Sequence, residues 1–136
     1  IVTYLFSRKV LYFMKVLVID DEIFISRMIK ITLEAKDYEV VVAKDGTEGL
    51  EKALKEKPDV ILLDIMMPVY DGFYILGKLK EQDETKAIPV IMLTSMARPQ
   101  DITRAMELGS AGYVMKPFEY EDLIASIENA LKKKDK

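Results

Sequence analysis

Five short runs of Val, Ile and Leu alternate with five amphipathic segments from Met14 onward, and this alternation constrains the fold more than any other feature. The runs are apolar at consecutive positions, which is typical of strands buried on both faces, and they cover 15–20, 39–43, 59–64, 89–94 and 112–116. The segments between them have helical periodicity and cover 22–36, 46–57, 72–83, 99–108 and 120–134. Strict alternation of this kind predicts an α/β fold, a doubly wound five-stranded parallel sheet with helices on both faces.

The apolar positions of each amphipathic segment predict which side of each helix faces the sheet. Gly109 suits the end of the fourth helix and Pro89 suits the start of the fourth strand. The predicted inward positions are, helix by helix, Ile25, Met28, Ile29 and Leu33; Leu50, Ala53 and Leu54; Phe73, Leu76 and Leu79; Ile102, Ala105 and Met106; and Leu123, Ile124, Ile127 and Leu131.

The composition excludes several classes of protein. A length of 136 residues allows one compact domain. The chain has no cysteine and no histidine, which removes disulfides, thiol nucleophiles, the Ser-His-Asp triad and any phosphohistidine carried by the chain itself. A net charge of −3 argues against direct nucleic-acid binding, and no apolar run approaches the ~20 residues that span a membrane. We therefore expect a cytoplasmic domain that binds neither nucleic acid nor membrane.

The first thirteen residues, IVTYLFSRKVLYF, differ in character from the rest of the chain. They are mostly apolar and aromatic, but Ser7, Arg8 and Lys9 interrupt them, so they lack the continuous apolar core of a secretory signal. We interpret 1–13 as a leader or an extension introduced by cloning, and 14–136 as the domain. The alternative is an added element that packs on the domain or on a partner.

Polar residues follow four of the five predicted strands at the point where each strand ends. In doubly wound sheets, ligands bind outside the carboxyl ends of the strands. A single acidic residue there is also common as a helix cap, but several converging carboxylates repel one another unless a cation is present. Hard oxygen ligands without His or Cys favour Mg²⁺, and an ammonium with a hydroxyl suits phosphoryl oxygens. These residues are Asp20, Asp21, Glu22, Asp64, Thr94, Ser95 and Lys116.

Four segments resemble the receiver domain of bacterial two-component response regulators. They are VLVIDDE (16–22), LLDIMMPVYDG (62–72), VIMLTS (90–95) and GYVMKPF (112–118). Their conjunction is far more specific than any one of them, and the resemblance runs from Met14 to about Lys134. It implies a flavodoxin-like (βα)5 fold with strand order 2-1-3-4-5.

The resemblance also implies the acidic half of a phosphorylation site. Asp64 would be the phosphoacceptor and would also contact Mg²⁺. Asp21 would be a direct Mg²⁺ ligand, and Asp20 would act largely through water. The backbone carbonyl of Met66 would complete the protein ligands.

The remaining site residues are implied in the same way. Lys116 and Thr94 would hold phosphoryl oxygens, and Lys116–Pro117 matches a family position where the peptide bond is cis. Thr94 and Tyr113 would form an aromatic switch, although Tyr113 could also be a plain surface aromatic. Phosphorylation would then alter the surface of the fourth helix, fifth strand and fifth helix.

The partners follow from the resemblance and from the absence of histidine. The phosphoryl donor would be a sensor histidine kinase or a histidine phosphotransfer protein, and the output would go to a downstream target protein or a phosphatase. The winged-helix subfamily carries an acidic pair and an Arg where this chain has Ala111, Gly112 and Ser126. This departure favours a stand-alone, chemotaxis- or relay-type regulator. The alternative is a receiver fragment of a larger DNA-binding transcriptional regulator.

Three other functions fit the sequence less well. A flavodoxin-like flavin binder needs a polar phosphate loop after the first strand, where Asp20 and Asp21 would repel the phosphate. A haloacid-dehalogenase-type phosphatase needs a second Asp where Met66 stands. A degenerate receiver that binds partners without phosphorylation would lack at least one of the site residues.

Two methionines suggest a long-lived acyl phosphate. In the resembling family, residues at the positions of Met66 and Met96 flank the path of the attacking water. A thioether is a weak hydrogen-bond acceptor, so neither residue positions water as an amide or carboxylate would. The alternative is that both residues only pack.

Overall fold

The computed structural model describes residues 3–5, 11–95 and 98–134. Within these residues the strands are β1 (Thr3–Leu5), β2 (Leu11–Phe13), β3 (Lys15–Ile19), β4 (Glu39–Ala43), β5 (Val60–Asp64), β6 (Val90–Thr94) and β7 (Gly112–Met115). The helices are α1 (Ile23–Glu34), α2 (Gly46–Glu56), α3 (Gly72–Glu81), α4 (Pro99–Glu107) and α5 (Tyr120–Lys134). The five central strands and all five helices lie where the periodicity predicts them.

The five strands from β3 to β7 form one parallel sheet in the order β4-β3-β5-β6-β7. Numbered within the sheet, this is the order 2-1-3-4-5, so the predicted fold class is confirmed. The chain runs from β3 outward to β4 at one edge, and then from β5 through β6 to β7 at the other edge, so the order reverses between β3 and β5. The site residues follow strands on both sides of this point.

Alternate residues of each strand pack on opposite faces of the sheet. Val16 and Val18 face α1 and α5, whereas Leu17 and Ile19 face the layer that contains α2, α3 and α4. Side chains alternate with a period of two along a strand. Both faces are covered, so consecutive residues are apolar, and all four of these side chains are fully buried.

Three residues predicted to face the core are exposed instead. Met28 is 36% exposed, Leu54 is 40% exposed and Met106 is 67% exposed. Each is the neighbour of a buried residue on its helix and so lies about 100° around the helix axis from the centre of the buried stripe. The periodicity located each stripe correctly but overestimated its width.

The ends of α2, α3 and α4 agree with local sequence signals. Asp45 and Asp71 cap α2 and α3, each accepting a hydrogen bond from a backbone amide three residues later, at 2.8 and 2.9 Å. Gly109 has a φ of 95° just after α4, as its predicted role as a helix stop requires. A Cβ at Gly72 would collide with the Asp64 carbonyl oxygen, so glycine allows α3 to begin directly against the end of β5.

The described parts of the first thirteen residues form a small antiparallel ribbon of β1 and β2, with Thr3 opposite Phe13. Residues 1–2 and 6–10 lie outside the described residues. The division into a leader, 1–13, and a domain, 14–136, remains a prediction. Among the described residues, no helix is long and apolar enough to cross a membrane.

Candidate functional site

The predicted site residues lie at the carboxyl ends of four neighbouring strands, at one edge of the sheet. Asp20 directly follows β3, Asp64 is the last residue of β5, Thr94 is the last residue of β6, and Lys116 directly follows β7. The Lys116 amide donates a hydrogen bond of 2.8 Å to the Thr94 carbonyl oxygen, which aligns the ends of β6 and β7. The parallel register therefore brings together residues that are far apart in the sequence.

Three carboxylates converge at this edge. Asp20, Asp21 and Asp64 each offer one oxygen, and these oxygens all lie within 4.8 Å of one another. Asp20 and Asp64 are 1% and 3% exposed, whereas Asp21 is exposed to solvent. An all-oxygen donor set with one face open to water fits Mg²⁺, which keeps several of its own waters when bound to protein.

The Lys116 ammonium lies among these carboxylates. Its Nζ donates to Asp20 Oδ2 at 2.8 Å and to Glu22 Oε1 at 2.7 Å, and lies 3.6 Å from Asp64 Oδ1. Burial lowers the pKa of Lys116, but the hydrogen bonds to Asp20 and Glu22 outweigh burial, so the pKa rises above its ordinary value. Lys116 therefore stays charged and offsets part of the repulsion among the carboxylates.

The two buried aspartates are costly to ionise. Burial and the neighbouring Asp20 charge raise the pKa of Asp64 to about 7, although Lys116 and a hydrogen bond from the Met66 amide oppose the rise. Burial also raises the pKa of Asp20, with Lys116 again opposing it. A bound cation would remove this penalty, because it would favour the ionised form of both groups.

The other predicted site residues lie around this cluster. Thr94 is fully buried, while Met66 is 58% exposed and its backbone amide donates a hydrogen bond to the Asp64 carboxylate. Tyr113 is partly buried in β7, and burial together with the Asp101 charge raises its pKa. The Lys116–Pro117 bond is cis, as the resemblance implies. Met96 lies outside the described residues.

Two acidic residues make specific contacts that the sequence did not predict: Glu22, which was predicted only as one of the strand-end carboxylates, and Asp101, which was not singled out. Glu22 binds Lys116, and its position directly after the two site aspartates is the signal that could have found it. Asp101, in the first turn of α4, is 5% exposed and accepts two hydrogen bonds from Arg98, at 2.8 and 3.2 Å. The three-residue spacing of Arg98 and Asp101 is the corresponding signal.

Comparison with protein families identifies one matching family. The model described as "Response regulator receiver domain" matches residues 16–128. The DNA-binding dual master transcriptional regulator RpaA of Synechocystis is 37% identical over 122 residues, which are 90% of this chain and 51% of RpaA. The alkaline phosphatase synthesis transcriptional regulatory protein PhoP of Bacillus subtilis is 37% identical over 121 residues, 89% of this chain and 50% of PhoP. The chain thus spans about half the length of these curated relatives.

Solved structures with the same fold include chains that this chain covers almost completely. Vibrio cholerae chemotaxis protein CheY4 is 38% identical with a TM-score of 0.83, and the match covers 87% of this chain and 98% of CheY4. A CheY-like receiver domain protein from Methanospirillum hungatei is 30% identical with a TM-score of 0.84, covering 90% of this chain and 96% of that one.

Proposed function

Because the chain belongs to the response regulator receiver domain family, we propose that Asp64 accepts a phosphoryl group from a phosphohistidine on another protein. The donor would be a sensor histidine kinase or a histidine phosphotransfer protein, since this chain contains no histidine. The observation that carries the proposal is the buried Asp64 at the end of β5, with two further carboxylates and the Lys116 ammonium around it.

The transfer needs a nucleophile, charge neutralisation and alignment. One oxygen of ionised Asp64 attacks the phosphorus, and a P–O bond forms as the donor's P–N bond breaks. The electron pair of the broken bond stays on the imidazole nitrogen. Lys116 and Thr94 donate hydrogen bonds to the phosphoryl oxygens, which carry the spread negative charge of a loose transition state.

The chain's own donor set would hold Mg²⁺ directly through Asp21 and Asp64 and through water at Asp20, with the Met66 carbonyl completing the protein ligands. When bound, the ion would supply positive charge that offsets the charge of the phosphoryl group. Asp20 is already oriented, because its Oδ1 accepts from the Glu22 amide at 2.9 Å and its Oδ2 accepts from Lys116. A fixed carboxylate loses little freedom when it binds a ligand.

An apolar strip on α1 supports a protein donor. Ile23, Phe24 and Ile31 are 62%, 74% and 63% exposed. The strip starts close to the site, because α1 begins only three residues after Asp20. Exposed apolar side chains clustered on one element often mark protein contacts. A phosphohistidine-bearing protein that reaches Asp64 would bury Ile23 and Phe24.

The phosphoacceptor is tested with a small phosphodonor. Incubation with acetyl phosphate and Mg²⁺ should add one acid-labile phosphoryl group, read by intact-mass spectrometry, and Asp64→Asn or removal of Mg²⁺ with EDTA should abolish it. Asp71→Asn makes the same chemical change at an exposed helix cap and should be labelled normally. Labelling that persists in Asp64→Asn would contradict the assignment.

A conformational switch would couple the site to a distant surface. Thr94, moving toward the phosphoryl group, would open space for the Tyr113 ring and so reshape α4, β7 and α5. Phosphorylation shifts this equilibrium only as far as it favours one state over the other. Adding beryllofluoride and Mg²⁺ should shift NMR signals across α4, β7 and α5, whereas shifts confined to the Asp64 pocket would refute the switch.

The output has two candidate forms. A stand-alone regulator is supported by the small residues of the β7–α5 contact, where a Cβ on Gly112 would lie 3.1 Å from Ser126 Oγ, leaving little room for a larger side chain at residue 112. A receiver within a DNA-binding regulator is favoured by relatives that are about twice as long. The reading frame downstream of Lys136 in the source genome decides between them, since a winged-helix coding region there would establish the second.

A further inference from the structure

Lys116 is hydrogen-bonded away from the proposed phosphoacceptor. Its Nζ is 2.7 Å from Glu22 Oε1 and 2.8 Å from Asp20 Oδ2, but 3.6 Å from Asp64 Oδ1. The two short contacts are charge-assisted hydrogen bonds, and the longer one is a weaker ion pair. Before phosphorylation, the ammonium is therefore directed toward the start of α1.

The Glu22 side chain does not stabilise the start of α1, although Glu22 directly precedes the helix. Glu22 is the N-cap residue of α1, yet its side chain makes no capping hydrogen bond. Its backbone starts the helix instead, because its carbonyl oxygen accepts from the Ser26 amide at 3.0 Å and its amide donates to Asp20. The contact with Lys116 is thus independent of helix formation.

Asp20 and Glu22 differ in how easily they release Lys116. The Asp20 side chain is fully buried in its ion pair with Lys116, whereas the Glu22 side chain is 55% exposed. Glu22 can turn into water and stay solvated, but an unpaired Asp20 would remain buried and charged. Release of Glu22 is therefore the less costly step that frees a hydrogen bond of Lys116 for a phosphoryl oxygen.

We propose that Glu22 is a positioning residue that restrains Lys116 in the unphosphorylated protein and competes with the incoming phosphoryl group for its ammonium. The inference rests on the proposed phosphorylation of Asp64 and adds a regulator of that same site. The Glu22 contact occupies one of the three N–H donors of Lys116 and holds the ammonium toward α1, so it lowers both the rate of phosphorylation and the affinity for phosphoryl analogues.

Glu22→Gln tests the inference because it keeps the shape of the side chain and removes its charge. With acetyl phosphate at saturating Mg²⁺, the phosphorylation rate constant should rise about two- to fivefold, the range expected for a partly exposed ion pair. The affinity for beryllofluoride should rise by a similar factor. Asp71→Asn removes one negative charge at the same sheet edge without touching Lys116, and both quantities should stay unchanged.

Two further measurements separate restraint from other roles. A Mg²⁺ titration of each variant shows whether the metal is saturating in the rate measurements. The Lys116 Nζ NMR signal of the unphosphorylated protein should differ between Glu22→Gln and the unaltered protein. Glu22→Ala should accelerate phosphorylation at least as much as Glu22→Gln. An unchanged or slower rate in both variants would overturn the inference, while failure of the unaltered protein to be labelled on Asp64 would overturn the proposed function itself.

Discussion

Replacing Asp64 with Asn should stabilise the metal-free protein at alkaline pH while removing its proposed function. Asp64 is 3% exposed, and its carboxylate shares the site with Asp20 and Asp21. The folded state therefore has to hold a buried charge against two like charges, and Lys116 offsets this only in part. Asparagine keeps the shape and has no charge to bury.

The magnitude follows from the raised pKa. The pKa of Asp64 is about 7 in the folded protein, against an ordinary 3.8. The folded state thus binds the Asp64 proton more tightly than the unfolded state does, so stability falls as the pH rises from about 4 to about 7 and stays low above that. A difference of three units is equivalent to about 4 kcal/mol at most. Relaxation and water entry reduce it, and we expect about 2 kcal/mol at pH 8.

Urea unfolding followed by circular dichroism, in EDTA, measures this free energy. Asp64→Asn should exceed the unaltered protein by about 2 kcal/mol at pH 8, or about 6 °C in Tm, and the difference should vanish near pH 4. Asp45→Asn is the matched control, because Asn caps a helix as well as Asp does and its effect should stay within a few tenths of a kcal/mol. Mg²⁺ at pH 8 should stabilise the unaltered protein more than Asp64→Asn.

Two results would refute the electrostatic reasoning. One is a stability difference that does not change with pH, which would indicate a packing effect. The other is an Asp64→Asn protein less stable than the unaltered one at pH 8, which would mean that Lys116 and the Met66 amide stabilise the ionised carboxylate more than its surroundings penalise it.

Three other predictions follow from particular residues. A chain that begins at Met14 should be phosphorylated by acetyl phosphate as well as the full chain, and loss of labelling would show that residues 1–13 belong to the fold. The acyl phosphate should hydrolyse more slowly in the unaltered protein than in Met66→Asn or Met96→Glu, because neither thioether orients water; equal or faster decay in the unaltered protein would contradict this. Gly77→Ala should stabilise the protein to urea by about 1 kcal/mol, since a Cβ there has nothing within 4 Å in the interior of α3; Gly72→Ala should destabilise it because of the collision with β5.

Sequence periodicity was sufficient for the five strands of the central sheet and for the five helices, but it did not predict β1 and β2. Residues 16–19 are apolar without a break, and only a strand covered on both sides places Val18 and Ile19 in opposite layers of the core. Motif spacing likewise predicted which side chains converge at the candidate site, because polar residues directly after parallel strands meet at one edge. Local rules also found Gly109 as the helix stop, because glycine adopts the positive φ that follows many helix ends at little cost.

Tertiary packing decided which side chains are buried and which distant residues come into contact, and local sequence patterns do not specify either. The periodicity of α4 placed Met106 with Ala105, but only the packed helix shows that its inward stripe ends at Ala105 and leaves Met106 exposed. The hydrogen-bond partners of the Lys116 ammonium are also visible only in the tertiary structure. Glu22 and Lys116 are separated by 94 residues and touch because β3 and β7 end at the same edge. The pKa of Asp64 is raised mainly by burial, which depends on the atoms packed around it. The sequence therefore predicts where Asp64 lies but not how costly its ionisation is.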